Sequence, residues 1–147
     1  ADEIRAAVSS AKVETVIGNS GDAEGCAAII EDCPDVDVLV INLGIYEAVD
    51  IYKAPDSHWA ELVEINVMSG VRLSRHYLPK MLARDSGRVI FMASESAINP
   101  APELPAYSAT KTMQLSLAPR MAWMRFTPVL AGQPLPGSRL LHGTPAS

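Results

Sequence analysis

Two apolar runs, Val36-Asp37-Val38-Leu39-Val40-Ile41 and Arg88-Val89-Ile90-Phe91-Met92-Ala93, punctuate a largely helical pattern. Each has strand length and is nearly continuously apolar, as expected of a strand buried on both faces of a parallel sheet. A third segment, Val13-Glu14-Thr15-Val16-Ile17, alternates and is β-branched, so it also reads as a strand. Helical patterns separate the three. Residues 2–11 read as a short helix. From Asp22 a second follows, with Cys26, Ile29, Ile30 and Cys33 at helical spacing and Pro34 as its stop. Residues 56–83 form a long helical segment with Asp56 or Ser57 as N-cap and Pro79 as the point of a kink or restart. Its apolar positions cover more than one face, so it packs on its sheet and on something else, such as a second subunit. Residues 99–105 are a Pro-rich loop. A last helix covers 106–118, where Pro119 interrupts the pattern. The order β-α-β-α-β-α predicts a parallel α/β sheet with right-handed crossovers. Ligands bind such sheets at the carboxyl ends of the strands, so the loops after residues 17, 41 and 93 are the ones to inspect.

Composition excludes several alternatives. With 48% hydrophobic and 20% charged residues in 147, the chain can bury a core and is not a disordered segment. A net charge of −5 and the lack of a basic run with interleaved aromatics argue against nucleic acid. No apolar run is long enough to span a bilayer. Cys26 and Cys33, seven apart, fit one helix face and not a metal or redox pair, so they read as buried free thiols. His58, His76 and His142 are scattered, and no metal site is expected. Reduced thiols and a charged helical N-terminus without a signal peptide suggest a cytoplasmic chain.

The charge is unevenly spread. Residues 1–103 hold eight Lys+Arg against all 17 acids, a net of −9. Residues 104–147 hold four basic residues and no acid, a net of +4. Five of the 11 prolines fall in the last 29 residues. The expected division is therefore a folded unit over 1–118 and an irregular Pro-rich tail over 119–147, of the kind a shifted reading frame or a disordered terminus produces.

Three loop or helix motifs carry chemistry. Asn42-Leu43-Gly44 follows the first apolar run, and its glycine either lets backbone approach a ligand closely or simply turns the strand into its loop. Ser94-Glu95-Ser96 follows the second; Ser94 can bond a substrate oxygen or simply cap a turn. Tyr107-Ser108-Ala109-Thr110-Lys111 places a phenol and an ammonium four apart on one helix face. A nearby ammonium stabilises a phenolate, which suits a tyrosine that donates and accepts a proton; taken alone, the same spacing also describes a surface helix pair. Asn66, in Glu64-Ile65-Asn66-Val67-Met68, is an unfavourable mid-helix residue among apolar neighbours, so it is either solvent-facing or buried with a specific partner.

Together these residues resemble the short-chain dehydrogenase/reductase family. The resemblance rests on Ile41-Asn42-Leu43-Gly44, on Trp59 seven residues before Asn66, on Ser94 thirteen before Tyr107, and on the Tyr107–Lys111 pair. It covers residues 13–118. It implies a partial Rossmann-type, doubly wound parallel sheet in a three-layer α/β/α arrangement, truncated at its N-terminus. The family's glycine-rich loop and first two strands would precede residue 1. The implied activity is hydride transfer between NAD or NADP and a small carbonyl or alcohol substrate. Tyr107 would be the general acid/base. Lys111 would tune it and bond the nicotinamide ribose, Ser94 would hold the substrate oxygen, and Asn66 would position a water linking Lys111 to solvent. Asn42 and Gly44 would line the cofactor path, and Asn19 would stand where the family has an Asp touching adenine. Family members pair through the helices at 56–83 and 106–118, so a homo-dimer or homo-tetramer is implied. The alternatives are a non-catalytic fragment that cannot hold cofactor, and a helix-mediated dimerisation module.

Overall fold

The computed structural model describes residues 1–122, with side chains to Ala118. Strand β1 (Val38–Ile41) and strand β2 (Arg88–Phe91) pair in parallel, Val38 opposite Arg88 and Ile41 opposite Phe91. Helix α1 is Asp2–Ala7 and helix α2 is Ala23–Asp32. Between the strands run α3 (Asp56–Val63), a π turn (Glu64–Met68) and α4 (Ser69–Ala83). After β2 come a 3₁₀ turn (Glu95–Ala97) and α5 (Pro105–Ala122). Parallel neighbours joined by a helical crossover are the arrangement the apolar runs predicted.

Local chemistry explains most boundaries. The Asp22 carboxylate accepts the Gly25 N–H at 2.7 Å and opens α2. The helix ends at Asp32, with Cys33 as its C-cap just before Pro34. The segment that leads into β1 is then clamped by α4. Tyr77 donates its hydroxyl to the Cys33 carbonyl at 2.5 Å, Lys80 Nζ donates to the Pro34 carbonyl at 2.6 Å, and Arg84 meets Asp35 Oδ1 at 2.6 Å. The core joins Cys26 of α2, Ile41 of β1, Leu73, Tyr77 and Met81 of α4, Val89 and Phe91 of β2, and Ala118 of α5. All these helices therefore pack on one face of the sheet.

Several expectations need correction. The first helix stops at Ala7 instead of residue 11, because Val8 is already extended. Val13–Ile17 forms no strand; neither β1 nor β2 pairs with it, and Ile17 is 99% exposed. An alternating segment without a partner has nowhere to place its backbone bonds except water. Strand β1 is not buried on both faces: Val38 and Val40 are half exposed, since no described helix covers that side. Of the two thiols, Cys26 is buried and Cys33 only partly so, at the helix end; both are free.

The long helical segment also breaks elsewhere than expected. Pro79 lies inside α4 without ending it. Near a helix end the missing N–H removes one bond, a loss α4 survives in its exposed last turns. The discontinuity is the π turn at 64–68 instead. Helix α3 opens at Asp56 with Pro55, not Asp56 or Ser57, in the capping position, and Asp56 lies in its first turn. Pro119 does not stop α5 either, which reaches Ala122. A helical φ is built into proline, so only one backbone bond is forgone there. The remainder of the proposed tail lies outside the described residues.

Candidate active site

The site forms at the carboxyl ends of β1 and β2, as the topology requires. The loop after Ile41 carries Asn42, Leu43 and Gly44. The loop after Phe91 carries Met92, Ala93 and Ser94. The π turn supplies Asn66, and the first turns of α5 supply Tyr107, Thr110, Lys111 and Gln114.

Asn66 is completely buried, and its amide is fully used. Oδ1 accepts the Ile45 N–H at 2.8 Å. Nδ2 donates to the Ile45 carbonyl at 2.9 Å and to Thr110 Oγ1 at 3.0 Å. Thr110 in turn donates to the Tyr107 carbonyl at 2.7 Å. The π turn makes this possible, because the wider turn rotates Asn66 out of regular register and into the space between the β1 loop and α5. Ser69 Oγ donates to the Ile65 carbonyl at 2.6 Å, satisfying an acceptor within that turn.

Lys111 is 4% exposed. Its ammonium donates to the Met92 carbonyl and to Gln114 Oε1, both at 3.0 Å. Burial pushes its pKa below the ordinary lysine value. The Nζ atom stands 5.6 Å from the centre of the Tyr107 ring. That ring also meets Tyr46 edge-on, with 5.8 Å between centroids. Gly44 lies so close that a Cβ there would fall 3.2 Å from Lys111 Nζ.

Ser94 caps the 3₁₀ turn, its Oγ accepting the Ser96 N–H at 3.2 Å. The capping reading is thus met, and the hydroxyl proton stays available to an acceptor. Asn42 is exposed and lines an open cavity of about 410 Å³, with Ser20, Leu43 and the apolar Ile29, Leu39, Val40 and Leu73. Asn19 serves the entry to α2: its Nδ2 donates to Asp22 Oδ2 at 2.7 Å, and its Oδ1 accepts the Gly21 N–H at 3.1 Å. The structure thus brings Asn66, Lys111, Tyr107 and Gly44 into one cluster. Ser94 stands two residues beyond the carbonyl that holds Lys111. Asn42 directly follows β1, and Asn19 stands at the entry to α2.

Two residues of this cluster escaped the sequence reading. Gln114 is fully buried, and its Nε2 donates to the Asn66 main-chain carbonyl while its Oε1 holds Lys111. Thr110 links Asn66 to the Tyr107 backbone. Gln114 falls seven residues after Tyr107 and three after Lys111, on the same helix face, and that spacing was the available signal. Among the described residues no cluster of ligating side chains could hold a metal ion, and no helix is long and apolar enough to cross a membrane.

This fold and this constellation define a chain of the α/β class with a parallel sheet, and a family model described as short chain dehydrogenase matches residues 1–123. The chain belongs to that family. It is 43% identical over 143 residues to the uncharacterized oxidoreductase YvaG of Bacillus subtilis (strain 168), covering 97% of this chain and 54% of the relative. Among solved structures it resembles a 3-oxoacyl (acyl-carrier-protein) reductase from Agrobacterium tumefaciens C58 with NADP bound. There the TM-score is 0.76 at 27% identity, over 86% of this chain and 52% of that one. L-sorbose reductase from Gluconobacter frateurii, complexed with NADPH and L-sorbose, gives a TM-score of 0.72 at 27% identity, over 85% and 50%. The chain spans about half the length of the relatives it matches. The expected partial Rossmann-type sheet is thereby established.

Proposed function

We propose that the chain carries the catalytic half of an NAD(P)-dependent oxidoreductase acting on a small carbonyl or alcohol. The observation that supports this most is the buried Lys111 ammonium, held by Met92 and Gln114 beside the Tyr107 ring. A charged amine taken out of water requires a purpose or a partner. Here its third N–H remains for the Tyr107 oxygen or a ligand hydroxyl.

Bound NAD or NADP would supply or accept the hydride. Tyr107 would give a proton to the carbonyl oxygen, or take one from the alcohol. Lys111 would stabilise the phenolate form during that exchange. Ser94 would donate its hydroxyl proton to the same substrate oxygen and orient it. Asn66 would hold the loop after β1 and Thr110 in register with Tyr107.

The residues present fit two ends of the cofactor. Gly44 keeps space open beside Lys111 for ribose hydroxyls, and the cavity at Asn42 and Leu43 has apolar walls suited to a flat ring. The pyrophosphate is different. The N-terminus of α2 is already occupied by the Asp22 carboxylate, so it offers no amide cradle for an anion. The second reading is a non-catalytic fragment or a helix-mediated dimerisation module. Under either reading the helices at 56–83 and 106–118 are the proposed pairing surface, where Leu82 and Met113 are exposed. The proposed folded unit, 1–118, ends within α5, which runs on to Ala122.

Titration of the chain with NADPH and NADH, followed by nicotinamide fluorescence, tests the first reading. Saturable binding, and turnover abolished by Tyr107→Phe with binding retained, is the expected result. Failure to bind at millimolar cofactor would establish the second.

A further inference from the structure

We propose that Gln114 is a positioning residue of the Tyr107 site: its buried amide bridges Lys111 Nζ and the main-chain carbonyl of Asn66, and so sets the direction of the ammonium. The catalytic meaning of this bridge rests on the function proposed above; the bridge itself does not.

Gln114 has no exposed surface, and its Oε1 and Nε2 both have partners. An apolar side chain would fill the same space without the desolvation cost of an amide, so packing alone does not account for a glutamine there. An ammonium has three N–H donors and rotates freely unless acceptors fix it. Met92 and Gln114 take two of them, from the loop after β2 and from α5 respectively. The third is then directed by difference. With a Cβ at Gly44 falling 3.2 Å from Nζ and the Tyr107 ring centre 5.6 Å from it, the third N–H is left on the side of the β1 loop and Tyr107. Gln114 also ties α5 to the π turn. One amide thus couples the two elements that carry Lys111 and Asn66. An amide does not pass protons as water does, so this link orients Lys111 and does not drain its proton toward Asn66.

The groups that face Lys111 are the Met92 carbonyl from the loop after β2, Gly44 from the β1 loop, Asn66 from the π turn, and Tyr107 and Gln114 from α5. Tyr107 is the titratable one among them.

The test reads the titration of Lys111 in the cofactor-free chain by NMR of 13Cε-labelled lysine, with Lys111→Met identifying the signal. Gln114→Leu removes the acceptor and should move the Lys111 midpoint to lower pH. Gln114→Glu supplies an anion of the same shape and should move it to higher pH. Circular dichroism and melting confirm folding of each variant, and Gln114→Glu decides alone if Gln114→Leu does not fold. Midpoints unchanged in the folded variants would overturn the proposal. In a chain that turns over, Gln114→Leu should lower kcat about tenfold with KM nearly unchanged. A wild-type chain that binds no NADPH would defeat the proposed function alone, and the Lys111 midpoints would still decide the role of Gln114.

Discussion

The Asn66 side chain grips Ile45 by both its N–H and its carbonyl, at 2.8 and 2.9 Å, as a neighbouring strand would. The amide therefore continues the sheet's hydrogen bonding past Ile41 into a loop that has no strand partner. Replacing Asn66 with Leu would leave both Ile45 groups without their partner, while the Thr110 hydroxyl keeps its bond to the Tyr107 carbonyl. Unsatisfied buried groups cost about 1–3 kcal/mol each, partly recovered when the loop reaches water. The expected loss is about 2–4 kcal/mol by urea unfolding. Hydrogen exchange at the Ile45 amide should rise in parallel, and unchanged protection there would mean that Asn66 does not hold the loop.

Gly44 sits where backbone must pass close to Lys111. A methyl group at that position would stand 3.2 Å from Nζ, tighter than ordinary contact. Lys111 cannot yield freely, since Met92 and Gln114 hold it. Gly44→Ala should therefore lower the melting temperature by about 2–6 degrees, the equivalent of about 1 kcal/mol of overpacking. It should weaken NADPH affinity by about tenfold, the equivalent of one displaced hydrogen bond. A fluorescence titration beside a melting curve separates the two effects.

How much of the site is legible in the sequence follows from which residues act locally. The Tyr107–Lys111 spacing is a helix property, so both side chains can be placed on one face without a structure. The burial of Asn66 is one of the two readings its apolar neighbours allow. The π turn that aims it is not legible, because a widened turn depends on partners 21 and 44 residues away in sequence, Ile45 and Thr110. Pro79 and Pro119 mislead for the complementary reason. Local rules assign proline a breaking role, whereas packing of Tyr77, Met81 and Ala118 into one core sustains both helices. Val13–Ile17 carries a strand pattern, yet a strand needs a partner, and neither described strand pairs with it.

The close fit of α4 to the sheet makes a separate prediction. A Cβ at Gly70 would lie 2.8 Å from Phe91 Cε1 and 3.0 Å from Ile41 Cγ2. Both atoms belong to buried core residues at the ends of the paired strands. Gly70→Ala gains helix propensity of about 1 kcal/mol, but it must push the helix off the sheet or the ring off its rotamer. Overpacking of this kind costs about 1–3 kcal/mol, so a net loss of about 0–2 kcal/mol is expected. An increase in the urea midpoint would show that α4 can shift freely, against the tight contact described.

Lys111 should also leave a signature in the pH dependence of stability. Burial lowers its pKa in the folded chain, while the unfolded chain keeps a value of about 10.4. Below the folded value both states carry the proton, and the full cost of burying the charge is present. Between the folded value and about 10.4 the unfolded chain binds more protons, so stability must rise with pH across that window. Above it both states are neutral and the cost is gone. Other tyrosine, cysteine and lysine groups titrate in the same range, so the wild-type curve alone is ambiguous. The difference in unfolding free energy between wild type and Lys111→Met isolates the lysine. That difference should favour the methionine variant most at neutral pH and shrink steadily as pH increases through the window. A difference that stays flat from pH 7 to 10.5 would mean that the ammonium carries no burial penalty, and that Met92 and Gln114 hold it at no cost to the fold.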